Sequence, residues 1–139
     1  MPKLDGSCLC GKVTYSCDAE PVATAVCHCT DCQRQTGTAF SVIVGVPSDA
    51  LKIEGDSLAS FTTVGTDTQQ EVARKFCREC GSPVVSVADA IPGVVFIKAG
   101  TLHDKSWLEP QIQVWTGSAQ PWIPLDSHPG AKLARGPSS

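Results

Sequence analysis

Seven of the eight cysteines in this 139-residue chain fall into three short clusters. Cys8 and Cys10 form a C-x-C pair, Cys27, Cys29 and Cys32 a C-x-C-x2-C triplet, and Cys77 and Cys80 a C-x2-C pair followed by Gly81. Closely spaced thiolates suit a soft cation such as Zn²⁺, because ligands from one tight turn reach the same side of the metal. Two pairs complete a four-sulfur site. A triplet supplies three ligands and leaves one position open, and an open position is where metal chemistry occurs.

The alternatives to metal ligation are disulfides and bare redox thiols. The N-terminus, MPKLDGSCLC, carries no apolar signal-like run, and the most apolar stretch, 90–99, is broken by Pro92 and Gly93. The expectation is therefore a cytoplasmic protein with no membrane span. In a reducing compartment, clustered cysteines serve metals or redox chemistry more often than disulfides. The knuckle with its following glycine favours zinc over an iron–sulfur cluster. A formal net charge of −3 argues against a nucleic-acid or anionic-membrane partner. Nothing in the sequence fixes an oligomeric state.

The body of the chain reads as an all-β domain. Runs at 12–17, 39–46, 58–64, 72–76, 84–87, 94–98 and 112–115 are short, rich in β-branched residues and bounded by Gly, Pro, Asp or Ser. Val13 and Tyr15 fall on one face of the first of these. Only 30–36 (TDCQRQT) predicts a helix, one or two turns long and ending at Gly37. The expected organisation is one zinc-binding domain over 1–130 and a loose tail over 131–139. The stretch 120–129, with three prolines, is expected to be extended.

Cys8, Cys10, Cys77 and Cys80 come from distant parts of the sequence. One shared Zn²⁺ would staple the first strand to the knuckle, a structural role that leaves no room for substrate. The alternative is a redox dithiol at Cys77 and Cys80. In the triplet, alternation points Cys27 and Cys29 one way and His28 the other, so His28 is a poor fourth ligand. The following helical turn returns Cys32 toward them. Three thiolates around a second Zn²⁺ leave a vertex for water or an incoming thiol; a closed site completed by His28 or a distant residue, and free thiols, are the competing readings. Lone Cys17 reads as a buried hydrophobe. His103 and His128 read as solvated, Arg34 as a surface charge rather than a partner for a substrate carboxylate, and Trp107, Trp115 and Trp122 as core or rim packing, with one of them able to line a pocket.

The chain resembles the glutathione-dependent formaldehyde-activating enzyme family, also called the CENP-V/GFA domain family. The resemblance rests on GSCLCGKVTY (6–15), CHCTDCQRQTGTAF (27–40), FCRECGSP (76–83), GTLHD (100–104) and Pro121-Trp122, in that order. It implies a mainly β, Mss4-like fold of short antiparallel strands with zinc. It implies a structural zinc on Cys8, Cys10, Cys77 and Cys80, and a catalytic zinc on Cys27, Cys29 and Cys32. The implied reaction is a carbon–sulfur lyase type, addition of glutathione to formaldehyde, with a small thiol and aldehyde as partners. Leu9 stands where many members carry a polar residue.

The competing class is a non-catalytic, zinc-stapled binding module, or a carrier of glutathione or its adduct. A redox enzyme of the methionine sulfoxide reductase kind would want a reactive cysteine outside the clusters, and Cys17, in a strand, is a poor candidate.

Overall fold

The computed structural model describes residues 4–65 and 68–125, and the backbone of 132–133. In chain order the strands are β1 (Leu4–Ser7), β2 (Thr14–Cys17), β3 (Ala23–Cys27), β4 (Ser41–Pro47), β5 (Leu51–Glu54), β6 (Leu58–Val64), β7 (Glu71–Cys77), β8 (Pro83–Ala88), β9 (Val94–Lys98), β10 (Ile112–Val114) and β11 (Lys132–Leu133). One α-helix, α1 (Thr30–Thr36), lies between β3 and β4. The fold is mainly β, as the sequence predicts.

The strands form two sheets. A small one has the order β1-β2-β5, and a large one the order β11-β10-β3-β4-β9-β8-β7-β6. Pairing is antiparallel except where β10 runs parallel to β3 and to β11. Of the expected loose tail, only the Lys132–Leu133 backbone falls among the described residues, paired with β10. His128 and the end of the extended stretch lie outside them.

Because side chains alternate along a strand, the large sheet has two different faces. On one, the row Val44–Ile97–Val85 is fully buried. These residues pack with Val13, just before β2, and with Tyr15 and Cys17 of the small sheet in the main hydrophobic core. Cys17 is thus a buried hydrophobe, its thiol directed at the Ala19 carbonyl. The neighbouring row on the opposite face reads Gly45–Phe96–Ser86–Arg74–Phe61. That face is not covered by the core and lines a cavity.

Gly6 shows how tightly the sheets meet. A Cβ there would lie 2.3 Å from the Thr101 carbonyl oxygen and 2.3 Å from the Tyr15 hydroxyl. Only glycine lets β1 approach the turn after β9, where Gly6 bridges to Leu102.

Candidate metal centres and an adjoining cavity

The structure brings the seven clustered cysteines together as two groups. In each, all the sulfurs lie within 4.8 Å of one another. Separations of 3.6 Å (Cys8–Cys10), 3.7 Å (Cys10–Cys77) and 3.5 Å (Cys27–Cys32) are far too long for disulfides. They are close to the edge of a tetrahedron of sulfurs around zinc, about 3.8 Å for Zn–S bonds of about 2.3 Å. The donor sets therefore fit Zn²⁺.

The four-sulfur group joins the turn after β1 to the knuckle after β7. The knuckle closes with a Gly81 N–H to Cys77 carbonyl hydrogen bond of 2.7 Å, and Gly81 has the positive φ, +81°, that the turn requires. The Val13 amide donates to Cys8 Sγ at 3.3 Å. The Ser57 hydroxyl, 3.4 Å from Cys77 Sγ, lowers that thiol's pKa. The Ser82 hydroxyl and amide hold Cys80 down at about 5. These groups favour the thiolate form that binds metal. Leu9, between two of the cysteines, is 87% exposed.

The triplet sits at the end of β3 and the start of α1, and all three cysteines are buried. Cys29 is the helix N-cap, its sulfur accepting from the Cys32 amide at 3.2 Å. The helix runs from Thr30 to Thr36 and stops at Gly37 with φ +70°, as the sequence predicts. One helical turn is what carries Cys32 back to Cys27. The shared protons of Cys29 and Cys32, together with burial, push the Cys27 thiol well above its ordinary range. Such crowding of neutral thiols is relieved by a cation.

His28 is turned away from this group and fully buried. Gln113 donates its amide to the Leu125 carbonyl, leaving its oxygen to accept from His28 Nε2 at 2.9 Å. The ring packs against Phe40 with centroids 5.8 Å apart. Gln33 ties the back of α1 to the His28 carbonyl at 2.8 Å and the Ser118 carbonyl at 3.1 Å. His103 is outside both groups, half exposed, 3.3 Å from Asp5. Arg34 is exposed, as read from the sequence.

Two cations that sequence reasoning passed over lie beside the triplet. Arg74 and Lys98 are each only 5% exposed. Arg74 Nη1 donates to Cys32 Sγ at 3.5 Å and its Nε to Thr63 Oγ1 at 3.0 Å, while Asp31 stands 4.0 Å away. Burial works against the Arg74 charge, but the Cys32 sulfur more than offsets it and the pKa is raised. Lys98 Nζ donates to Ser41 Oγ at 3.0 Å, and burial lowers its pKa. The signal in the sequence was phase: Arg74 and Lys98 follow Val72 and Phe96 by two residues, so each shares its neighbour's face.

Cys27, Cys29, Cys32, Arg74 and Lys98 all line a cavity of about 390 Å³ on the outer face of the large sheet. Its other walls are mainly apolar, including Ile43, Val72, Val94 and Phe96. Trp115, expected as packing, lines it too and ends β10 with φ +56°. Gly45 admits the Phe96 ring, which a Cβ would meet at 3.2 Å.

A family model described as glutathione-dependent formaldehyde-activating enzyme matches residues 3–118. A Talaromyces marneffei protein named "putative glutathione-dependent formaldehyde-activating enzyme" is 25% identical over 119 residues, 84% of this chain and 62% of that protein. An Aspergillus oryzae protein of the same name is 28% identical over 118 residues, 80% of this chain and 59% of that protein. The chain spans about three fifths of the length of these curated relatives. Among solved structures, a Rhodobacter sphaeroides protein shares the fold with a TM-score of 0.57 at 22% identity, covering 71% of this chain and 87% of that one. Among the described residues no helix is long and apolar enough to cross a membrane.

Proposed function

This chain belongs to the glutathione-dependent formaldehyde-activating enzyme family, and from that premise we propose that it is a zinc-dependent carbon–sulfur lyase-type enzyme. It adds a thiol to a small aldehyde, or removes one, with glutathione the first candidate thiol. The observation that carries this reading is the contrast in setting. Cys8, Cys10, Cys77 and Cys80 provide a full set of four donors away from the cavity, whereas Cys27, Cys29 and Cys32 provide three donors that line it.

Cys8, Cys10, Cys77 and Cys80 would hold a structural zinc, and Cys27, Cys29 and Cys32 a second one. A zinc at the triplet supplies an acidic centre that favours the thiolate form of an incoming thiol or polarises a carbonyl. The protein's own groups do the rest. Arg74 holds negative charge at the Cys32 sulfur, and the cavity walls keep bulk water from screening that interaction. Ser41 fixes the Lys98 ammonium. Addition forms one C–S bond, breaks the carbonyl π bond and leaves the thiol proton on oxygen, so no oxidant is required.

Thiols add to formaldehyde spontaneously, so the test is a rate above background. Zinc-loaded protein should accelerate S-(hydroxymethyl)glutathione formation, and Cys29→Ser should remove the excess rate while leaving the circular dichroism spectrum intact. No excess rate, unchanged by Cys29→Ser, overturns the assignment. A carrier of glutathione or its adduct would instead give saturable binding without turnover.

A further inference from the structure

Three polar side chains lie on the cavity face of the adjacent strands β7, β8 and β9, and Asp31, Thr68, Gln70 and Glu71 also line the cavity. Besides Arg74 and Lys98, Ser86 lines it; Ser86 is 7% exposed and its Oγ has no hydrogen-bond partner among the described residues. A buried hydroxyl without a partner is destabilising, so it marks a place where a ligand atom belongs. Ser86 pairs directly with Arg74 on β7 and with Phe96 on β9, and Lys98 follows Phe96 by two residues on the same face. The Lys98 ammonium has a neutral hydroxyl, Ser41, as its hydrogen-bond partner. Arg74 directs Nε at Thr63, Nη1 at Cys32 and Gln35, and Nη2 toward Asp31, 4.0 Å away. This corner offers donors and positive charge in a water-poor setting.

From that corner the cavity runs outward along apolar side chains. Ile43, Val72, Val94 and Phe96 form its walls, and exposed Val22 and Ile91 stand at its rim. Formaldehyde, with one carbon, would leave these walls untouched. A peptide thiol, with charged and amide groups along its length, would find no partners on them.

We propose that the carbonyl substrate of this site is an aldehyde with an apolar body of several carbons, its oxygen directed at Arg74, Ser86 and Lys98. This rests on the thiol–carbonyl reading of the triplet and names the substrate class within it. As the thiol adds, the oxygen becomes an alkoxide before it takes the proton. The three donors are placed to hold that charge, while the hydrocarbon body lies along Ile43, Val72, Val94 and Phe96. A carboxylate of matching chain length is a stable mimic of the charged oxygen on its apolar body.

The test is calorimetric titration of the zinc-loaded protein with acetate, butanoate, hexanoate and octanoate, and with 1-hexanol. Affinity should rise up to about fourfold per added methylene, and hexanoate should bind well above 1-hexanol. Lys98→Met should weaken hexanoate roughly tenfold and leave 1-hexanol unchanged. Should that variant fold poorly, Arg74→Gln makes the same test. Ala88→Phe, on the cavity face of β8, should cancel the gain beyond butanoate without altering butanoate itself. Affinity independent of chain length, equal binding of the alcohol, or binding unmoved by Lys98→Met and Arg74→Gln overturns the proposal. So does an absence of binding. The readout is binding, so it is separable from the chemistry. If the series binds as expected while neither formaldehyde nor octanal reacts faster than background, the cavity assignment stands and the lyase reading falls. If formaldehyde reacts and chain length has no effect, the converse holds.

Discussion

The two cysteine groups set exposure and ligand count against each other. In the four-sulfur group Cys10 is exposed and Cys80 partly so, yet four donors satisfy a tetrahedral metal. In the three-sulfur group every cysteine is buried, yet the donor set is one short and faces a cavity. Whether a site is open depends on its ligand count and on what lies beside it, more than on contact with bulk water. The surroundings follow the same division. The Ser57 and Ser82 hydroxyls stand beside the first group. A buried arginine contacts the second.

The sharpest way to break this contrast is to remove one sulfur from each group. Cys77→Ser should leave the chain largely insoluble or unfolded. A structural zinc contributes on the order of 10 kcal/mol in small zinc domains, comparable to the roughly 5–15 kcal/mol of a whole domain. Cys29→Ser should fold and keep one zinc. Soluble yield, thermal melting and zinc content decide it; a stable Cys77→Ser protein with full zinc would erase the distinction. A gentler version leaves the sequence alone. Freshly purified, reduced protein should contain two zincs per chain, and a mild chelator should take one without changing the far-ultraviolet circular dichroism. One zinc that leaves only on unfolding would mean that the triplet binds metal weakly or needs a ligand to do so.

The smallest effect concerns the packing around β2. Burial pushes Tyr15 up to about 12, against a hydrogen bond to Thr101 that pulls the other way. The folded chain keeps its proton where the unfolded chain has lost it, so this contribution to stability is complete below pH 10 and lost between pH 10 and about 12. Tyr15 is the chain's one tyrosine, so its near-ultraviolet absorbance reads the site directly. Tyrosinate should appear near pH 12 in the folded protein and near pH 10 in denaturant; coincident curves would mean that the core here is loosely packed.

Much of this architecture is legible in the sequence because it is local. The bounds of β6, β9 and α1 coincide with the expected runs, since turn residues and Gly37 mark them. The partition of the cysteines into four and three is legible because chelation imposes short spacings. The elements that escape notice have little local signal. β1 (LDGS) contains a glycine demanded by a contact nearly a hundred residues away, and β5 (LKIE) alternates over only four residues. β3 (ATAVC) is short and rich in alanine, a residue depleted in strands. Lys12, Val13, Ala39, Phe40 and Trp115 fall just outside the strands expected to hold them, the last because its backbone turns left-handed. Arg74 and Lys98 look like ordinary solvated charges on paired strands. Only the register, which sets one of them beside Ser86 and the other beside Ile43, gathers them with the triplet. Cross-strand register is a tertiary property, and a linear reading has no access to it.

Gly45 offers a different kind of lesson. The Phe96 ring lies across β4 because one methyl group is missing there. A Cβ at position 45 would press on the Phe96 ring at 3.2 Å and on Val94 at 3.3 Å, both in the cavity wall. The size of the cavity can therefore drift by single codon changes on one face of the sheet, apart from the core row held on the other.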